Sequence, residues 1–371
     1  MSFLAFIFRN LVRQRVRTVL TVVGITVGIV TVVALGSVTA GFRQSAGSML
    51  KLGGADFIVA QKGSADLSFS TLSRRDRAAV EGRADVERAM GVLFDLSRVG
   101  ANPYFVLFGV EPAQLAVAPP TLEQGRVLAD GSTTEALLGS RAAADLDARV
   151  GSTVSIHGRS FTVVGIYHDG NVFLDSGAFA PLATVQAIAG KPGLVTALFV
   201  KVADGADPRA VAVAIEEAEA GLTTVSSVDE YGKVDQGLEV MDAANLAISV
   251  LAVVIGAIGV MNTMIMSVFE RTREIGILRS VGWRGSRIMR MIFGESLLLC
   301  AIASLLGVAG GVLVTRALLL VPAIASFLEP QYSVALFLRA LAVGAIVGLG
   351  GAAYPAIRAV RLSPMEALRH E

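Results

Sequence analysis

The sequence predicts an α-helical membrane protein with four transmembrane helices and an extracytoplasmic α+β domain inserted between the first and second. Three observations predict it. The 371 residues are 53% hydrophobic and only 17% charged, against about 25% charge in ordinary soluble domains. Four stretches reach the roughly 20 apolar residues that a bilayer core requires. The stretch from 40 to 238 has a different composition, with 17 Lys and Arg against 24 Asp and Glu when counted through Glu239.

Residues 1–17 come first. Arg9, Arg13 and Arg17 recur every four residues, with Leu4, Ile7, Phe8 and Leu11 at other positions. This spacing predicts an amphipathic helix on the inner membrane face. The plainer reading, arginines that only set topology, is compatible with it. Transmembrane helix 1 is expected over 18–39. A cleaved signal peptide is the competing reading, but this apolar run exceeds the roughly 7–15 residues usual for a signal. Helix 2 is expected over 246–269 and a cytoplasmic segment over 270–290. Helix 3 follows over 292–320, with Glu295 and Arg316 near its ends. A short turn spans 321–334, helix 4 covers 335–354 with Arg339 near its start, and the tail is 355–371. Charges at span ends can snorkel to the interface.

Orientation follows from the short flanks. Arg9, Arg13, Arg15 and Arg17 precede helix 1. Arg271, Arg273, Arg279, Arg284, Arg287 and Arg290 follow helix 2, and Arg358, Arg361 and Arg369 follow helix 4. The 321–334 turn has no Lys or Arg. Positive flanks stay cytoplasmic. Both termini and the 270–290 segment are therefore expected inside, and the domain and the short turn outside.

Small residues recur at helix-packing spacing: Gly24 and Gly28 in helix 1, Gly256 in helix 2, Gly307 and Gly311 in helix 3, Gly344 and Gly348 in helix 4. Such spacing lets backbones approach closely in lipid, within one subunit or between two. The spans carry few polar residues, chiefly Thr21, Thr26, Thr31, Asn262 and Thr263. That argues against an ion-coupled carrier, which needs buried ionisable groups or broken helices at the midplane.

Within the domain, 55–60 reads as a strand, and 73–82 as a helix with Ser73 as N-cap and Asp76 three residues on. A strand is expected over 104–110 and a strand-to-helix transition near Gly139. A hairpin over 153–167 is expected to turn at Gly158-Arg159. Residues 198–202 read as a strand, and 207–220 as a helix capped by Asp207 with Pro208 in its first turn. Alternating elements suggest an α+β domain of two lobes.

Catalytic signals are sparse. His168-Asp169 has metal-ligand chemistry but no surrounding cluster, so a structural role fits better. HExxH and GxSxG motifs are absent, and neither Gly190-Lys191 nor Gly232-Lys233 completes a P-loop. No enzyme activity and no cofactor are expected in this chain, so energy would come from a partner. The single Cys300 lies in an apolar run, forms no intrachain disulfide and reads as a buried small hydrophobe.

The 267–288 segment carries the most specific pattern. Glu270, Arg273 with Glu274, and Ile277 follow helical spacing, and Gly276 and Gly282 permit close approach and a turn. A short helix of mixed charge beside Ile275, Ile277 and Leu278 suits docking into a groove on another protein. The string Glu270-Arg271-Thr272-Arg273-Glu274-Ile275-Gly276, followed by Leu278, Arg279 and Gly282, closely resembles the signature of the MacB/FtsX-like permease family of mechanotransmission (type VII) ABC transporters. Gly54–Val59, Gly151–Ile166 and the ending through Tyr354-Pro355 and Ser363-Pro364-Met365-Glu366-Ala367-Leu368 resemble the same family.

The resemblance implies a MacB-like periplasmic core domain and a multi-pass protein of the bacterial inner or plasma membrane. It implies that Glu270–Gly282 seats on an ABC ATPase. Two copies of that separate ATPase, which bind ATP and Mg, would serve a pair of permeases, this chain and a second one as a homodimer. A fused nucleotide-binding domain is not expected, and neither is a nucleic-acid partner. ATP binding would tilt the coupling segments, and the first two spans would relay that motion outward. Membrane lipid and an extracytoplasmic adaptor or hydrolase are the other implied partners. Two functions compete: export or extraction of a lipid, lipoprotein, peptide or drug, and FtsX-like regulation of a wall hydrolase or signalling partner.

Overall fold

Apolar runs without charge leave backbone polar groups no partner but one another, which in lipid means a helix. The computed structural model describes residues 15–64, 67–100, 102–233, 236–325 and 328–361. The amphipathic segment up to residue 14 and the Ser363–Leu368 ending lie outside them. Along the chain, α1 (Arg15–Met49) leads to β1 (Phe57–Gln61), α2 (Arg74–Glu81), β2 (Val86–Val99), β3 (Asn102–Val110) and β4 (Leu122–Gly125). Next come β5 (Glu135–Gly139), α3 (Ser140–Asp145), β6 (Thr153–Ile156), β7 (Arg159–Tyr167) and β8 (Ala178–Pro181). Helix α4 (Leu182–Ala189), β9 (Ala197–Val202), α5 (Pro208–Ala218) and β10 (Leu222–Val225) complete the domain. Then come α6 (Gln236–Glu270), α7 (Thr272–Ser280), α8 (Gly285–Leu318), a single helical turn at Pro322–Ala325, and α9 (Val334–Arg361).

The chain forms two compact units, one of Met1–Val38, Asp242–Ala317 and Gln331–Glu371, the other of Thr39–Met241 and Leu318–Pro330. In the first, four helices are long and apolar enough to cross a membrane. Ile25, Ile29 and Val33 of α1 meet Val260 and Met264 of α6, Leu299 and Ala303 of α8, and Ala340 and Val347 of α9 in one core. Val23, Val27, Leu251, Ile255, Leu305 and Leu313 are exposed, the surface that lipid would cover.

The helices are longer than the expected spans. At about 1.5 Å per residue, the 35 residues of α1 and of α6 reach roughly 52 Å, beyond an apolar core of about 30 Å. Residues 285–290, expected as loop, are the first turns of α8. Helix α9 continues through Pro355 to Arg361 instead of ending at 354. Proline is tolerated inside a membrane helix where neighbouring helices shield the freed carbonyl, and Pro355 is buried.

The second unit holds one ten-stranded mixed sheet, ordered β10-β1-β9-β2-β3-β8-β5-β7-β4, with β6 paired to β7. It replaces the expected pair of lobes. Pairing is antiparallel except at β3–β8 and β5–β7. Both faces are covered: Phe57 and Val59 enter one core, and Ile58 and Ala60 the other. The 14-residue β2 escapes sequence reading because Glu87, Arg88, Asp95 and Arg98 interrupt its apolar pattern. The hairpin turns at His157-Gly158, one residue earlier than expected. Ile156 pairs with Arg159, leaving a two-residue loop whose φ values of 51° and 73° suit the left-handed geometry that such loops favour.

Helix α2 starts as expected. The Asp76 N–H donates to Ser73 Oγ at 3.3 Å and the Ser73 N–H to Asp76 Oδ2 at 2.8 Å, a reciprocal capping box. Ser73→Ala is expected to destabilise the domain by about 1 kcal/mol. Thermal melting of the detergent-solubilised chain checks this, and an unchanged midpoint would refute it. Asp207 likewise accepts from the Arg209 N–H at 3.1 Å.

Candidate functional site

The 270–290 segment resolves into the end of α6, the short α7 and the start of α8. Arg271 sits between α6 and α7 with non-helical φ and ψ of −110° and 15°, so the chain changes direction there. The Thr272 hydroxyl donates back to the Val268 carbonyl at 3.0 Å. Glu274 lies in the first turn of α7 and Arg279 in the last, each sign favourable to the helix dipole. Gly282 closes the segment at φ 96°, a left-handed conformation natural to glycine. Its N–H donates to the Arg279 carbonyl at 3.1 Å.

The expected site residues divide between two faces. Thr272, Ile275 and Gly276 are buried, and Leu278 is half-buried. Arg273, Glu274 and Gly282 are exposed, as are Ile277 at 47% and Val281 at 76%. Positions 273/274, 277 and 281 share one side of a helix, so the outward face combines both charges with apolar surface. Glu270 pairs with Arg17 of α1 at 3.5 Å.

Arg271 turns inward rather than lying on the exposed face. Its Nη1 donates to Glu295 Oε1 at 2.8 Å, its Nε to Glu274 Oε2 at 3.4 Å, and its Nη2 approaches Met291 Sδ at 4.0 Å. The side chains of Arg271 and Glu295 are 14% and 5% exposed. Glu295, read from sequence as a span-end charge, thus ties α8 to the start of α7. Arg279 also turns inward, with Nη1 donating to the Val360 carbonyl at 2.9 Å. Sequence reasoning missed Glu295 and Val281. An acid in an apolar span 24 positions from an arginine was the available signal.

The small residues mostly face other helices of this chain. A Cβ at Gly28 would lie 3.1 Å from Ala252 Cβ, one at Gly256 3.0 Å from Val347 Cγ1, one at Gly307 2.5 Å from Ile29 Cβ, and one at Gly311 2.7 Å from Val33 Cβ. Gly344 faces Ser304, and Gly348 faces Cys300 at 3.1 Å. Gly24 meets nothing within 4 Å. The Thr21 and Thr263 hydroxyls hydrogen-bond at 2.5 Å.

In the domain, His157 Nε2 contacts Asp95 Oδ2 and His168 Nδ1 contacts Asp175 Oδ2, both at 2.8 Å. Ser140 Oγ also lies 3.2 Å from His168 Nδ1. Serine and aspartate share one ring nitrogen, whereas a catalytic relay requires them on opposite nitrogens. Burial and the neighbouring Asp175 charge push the Asp169 carboxyl above its usual range. No group of three potential metal ligands occurs among the described residues.

Comparison with known proteins gives this arrangement its context. Residues 18–218 match the MacB-like periplasmic core domain, more than half of the chain, and residues 246–364 match the FtsX-like permease C-terminal domain. The chain is 25% identical over 399 residues to the macrolide export ATP-binding/permease protein MacB of Bdellovibrio bacteriovorus, covering 98% of this chain and 61% of that protein. An uncharacterised ABC transporter permease of Methanocaldococcus jannaschii is 23% identical over 389 residues, covering 99% of this chain and 98% of that one. The crystal structure of the periplasmic region of MacB from Actinobacillus actinomycetemcomitans superposes at a TM-score of 0.38 and 17% identity, covering 47% of this chain and 89% of that one. The chain spans about three fifths of the length of the first MacB relatives. With a MacB-like match that takes in the first membrane helix and most of the domain after it, and an FtsX-like match that takes in the other three membrane helices, the chain belongs to the MacB-like family of ABC transporter permeases.

Proposed function

We propose that the chain is a non-catalytic permease subunit that docks a separate cytoplasmic ABC ATPase through α7 and converts ATP hydrolysis there into movement of its extracytoplasmic domain. The observation that carries this reading is the two-faced α7. Thr272, Ile275 and Gly276 anchor it inward, while Arg273, Glu274, Ile277 and Val281 form a surface of the kind that helix-in-groove recognition uses. ATP and Mg would be bound by the ATPase, two copies of which would serve a homodimer of permeases. Multi-pass residence in a bacterial inner membrane with both termini cytoplasmic fits the arginine flanks. Arg141 of the domain pairs with Glu329 at 3.2 Å, which supports placing the domain and the 321–334 turn on one side. MacB relatives named as macrolide exporters and a probable syringafactin exporter of Pseudomonas syringae support export or extraction of a lipid, lipoprotein, peptide or drug.

The buried Gly276 makes a poor probe of docking, since any side chain there would disturb packing before it disturbed a partner. Ile277→Glu is the cleaner test, with Glu274→Lys as its companion. In mild-detergent affinity purification, Ile277→Glu is expected to reduce ATPase capture about tenfold, the loss of one interface anchor. Its own elution profile should stay unchanged. Undiminished capture by both variants would remove α7 from the docking surface.

A further inference from the structure

Most polar side chains of the membrane spans are satisfied within the chain. Thr21, Thr26, Ser249, Thr263 and Ser296 each make a hydrogen bond to another residue of the bundle. Asn262 of α6 differs. It is exposed, and among the described residues none hydrogen-bonds to its side chain. It lies eight residues inside the charged end of α6 at Glu270, about 12 Å of helix rise and deeper than a headgroup layer of roughly 5–7 Å. A carboxamide carries a carbonyl acceptor and two N–H donors. Hydrocarbon satisfies neither, so an amide left facing lipid is costly.

The rest of that face is apolar and open. Leu251, Ile255 and Ile258 are 58%, 65% and 55% exposed, and with Asn262 they recur at spacings of four, three and four. That is the rhythm of helices paired along a seam, where a single Asn fixes the register and the number of strands. A Cβ at Gly259 would meet nothing within 4 Å, so a second backbone has room to approach there. Val260 and Met264, round the helix, are buried in this chain's own core. The amide also indicates the occupant. Two copies inserted with the same topology present α6 in parallel, and a twofold axis along the membrane normal sets each residue opposite itself at equal depth. One asparagine satisfies another, the N–H of each donating to the carbonyl of its mate, which a lipid tail cannot do.

We infer that the outward face of α6 is the seam along which two copies of this chain pair, with the amides of Asn262 and Asn262 of the partner subunit hydrogen-bonded to each other. The inference rests on the pairing of permeases proposed above and is independent of ATPase docking through α7. The test uses the full-length chain with Cys300→Ala as background and single cysteines at four exposed positions: Ile255→Cys and Ile258→Cys on α6, Leu305→Cys on α8 and Ile346→Cys on α9. Oxidation with copper phenanthroline in native membranes is expected to give a disulfide-linked dimer from the two α6 positions and none from the other two. Association of fluorescently labelled chains in detergent, read as energy transfer, should weaken about three- to tenfold in Asn262→Leu, the loss of hydrogen bonding between helices. Asn262→Gln, which keeps the amide, should restore most of it, and Leu305→Ala should change nothing. Cross-linking through α8 or α9 without α6 would overturn the seam and leave the pairing of permeases standing. Neither cross-links nor energy transfer in any variant would overturn both. Cross-linking along α6 with association that Asn262→Leu does not weaken would overturn the role of the amide, and the inference with it.

Discussion

Arg271→Leu is expected to destabilise the membrane unit by about 3–5 kcal/mol, because it leaves the Glu295 carboxylate buried beside apolar side chains without its guanidinium. With roughly 2–4 °C per kcal/mol for a unit of this size, the melting midpoint in detergent should fall by roughly 6–20 °C. The paired variant Arg271→Leu with Glu295→Leu should recover most of that loss, since a well-packed apolar pair often replaces a buried ion pair at little cost. Arg273→Leu, on the exposed face of the same helix, should change the midpoint little, as solvated charges contribute about 0–1 kcal/mol. The ion pair is therefore assigned to the hold of α7 on α8. If Arg271→Leu and Arg273→Leu melted alike, that assignment would fail.

A second large effect is expected where α1 and α8 meet. Gly307→Val adds side-chain atoms where a Cβ alone would already lie 2.5 Å from Ile29 Cβ and 3.2 Å from the Thr26 carbonyl. Overpacking of this kind typically costs about 1–3 kcal/mol and sometimes more. The neighbour here is a β-branched residue in a helix, with little freedom to move aside. Gly24→Ala serves as the opposite case. With nothing within 4 Å, it should leave stability unchanged or raise it by up to about 1 kcal/mol, the helix-propensity gain of alanine over glycine. Melting of the two variants in one detergent separates the outcomes. Equal destabilisation would mean that Gly24 is also packed, for example against a second copy of the chain.

Much of the architecture was legible because it depends on short-range pattern. The four spans announce themselves as long apolar runs, the first two free of charge, and Ser73, Asp207 and the 153–167 hairpin carry local signals that need no tertiary knowledge. Strand β2 was not legible. Its charged positions break the alternation, and it becomes a strand because β3 and β9 pair with it on either side. The single sheet was hidden for the same reason, since β3–β8 and β5–β7 are parallel pairings between segments far apart in sequence.

In the 270–282 segment, helical spacing identified the exposed face through Arg273, Glu274 and Ile277. It did not separate them from Arg271, Thr272, Ile275 and Gly276. The segment mixes exposed residues with packed ones, and only the neighbouring helices distinguish the two. The partnership of Arg271 with Glu295 is a tertiary fact, formed between helices, that no local spacing contains.

Helices α1 and α6 each run 35 residues without a proline. Neither therefore carries a proline kink along its length. Pivoting such a rod by about 5° sweeps its far tip through roughly 4–5 Å over a length of about 52 Å. On a rod of that length a sub-ångström adjustment close to a fulcrum would become a displacement as wide as a side chain at the tip.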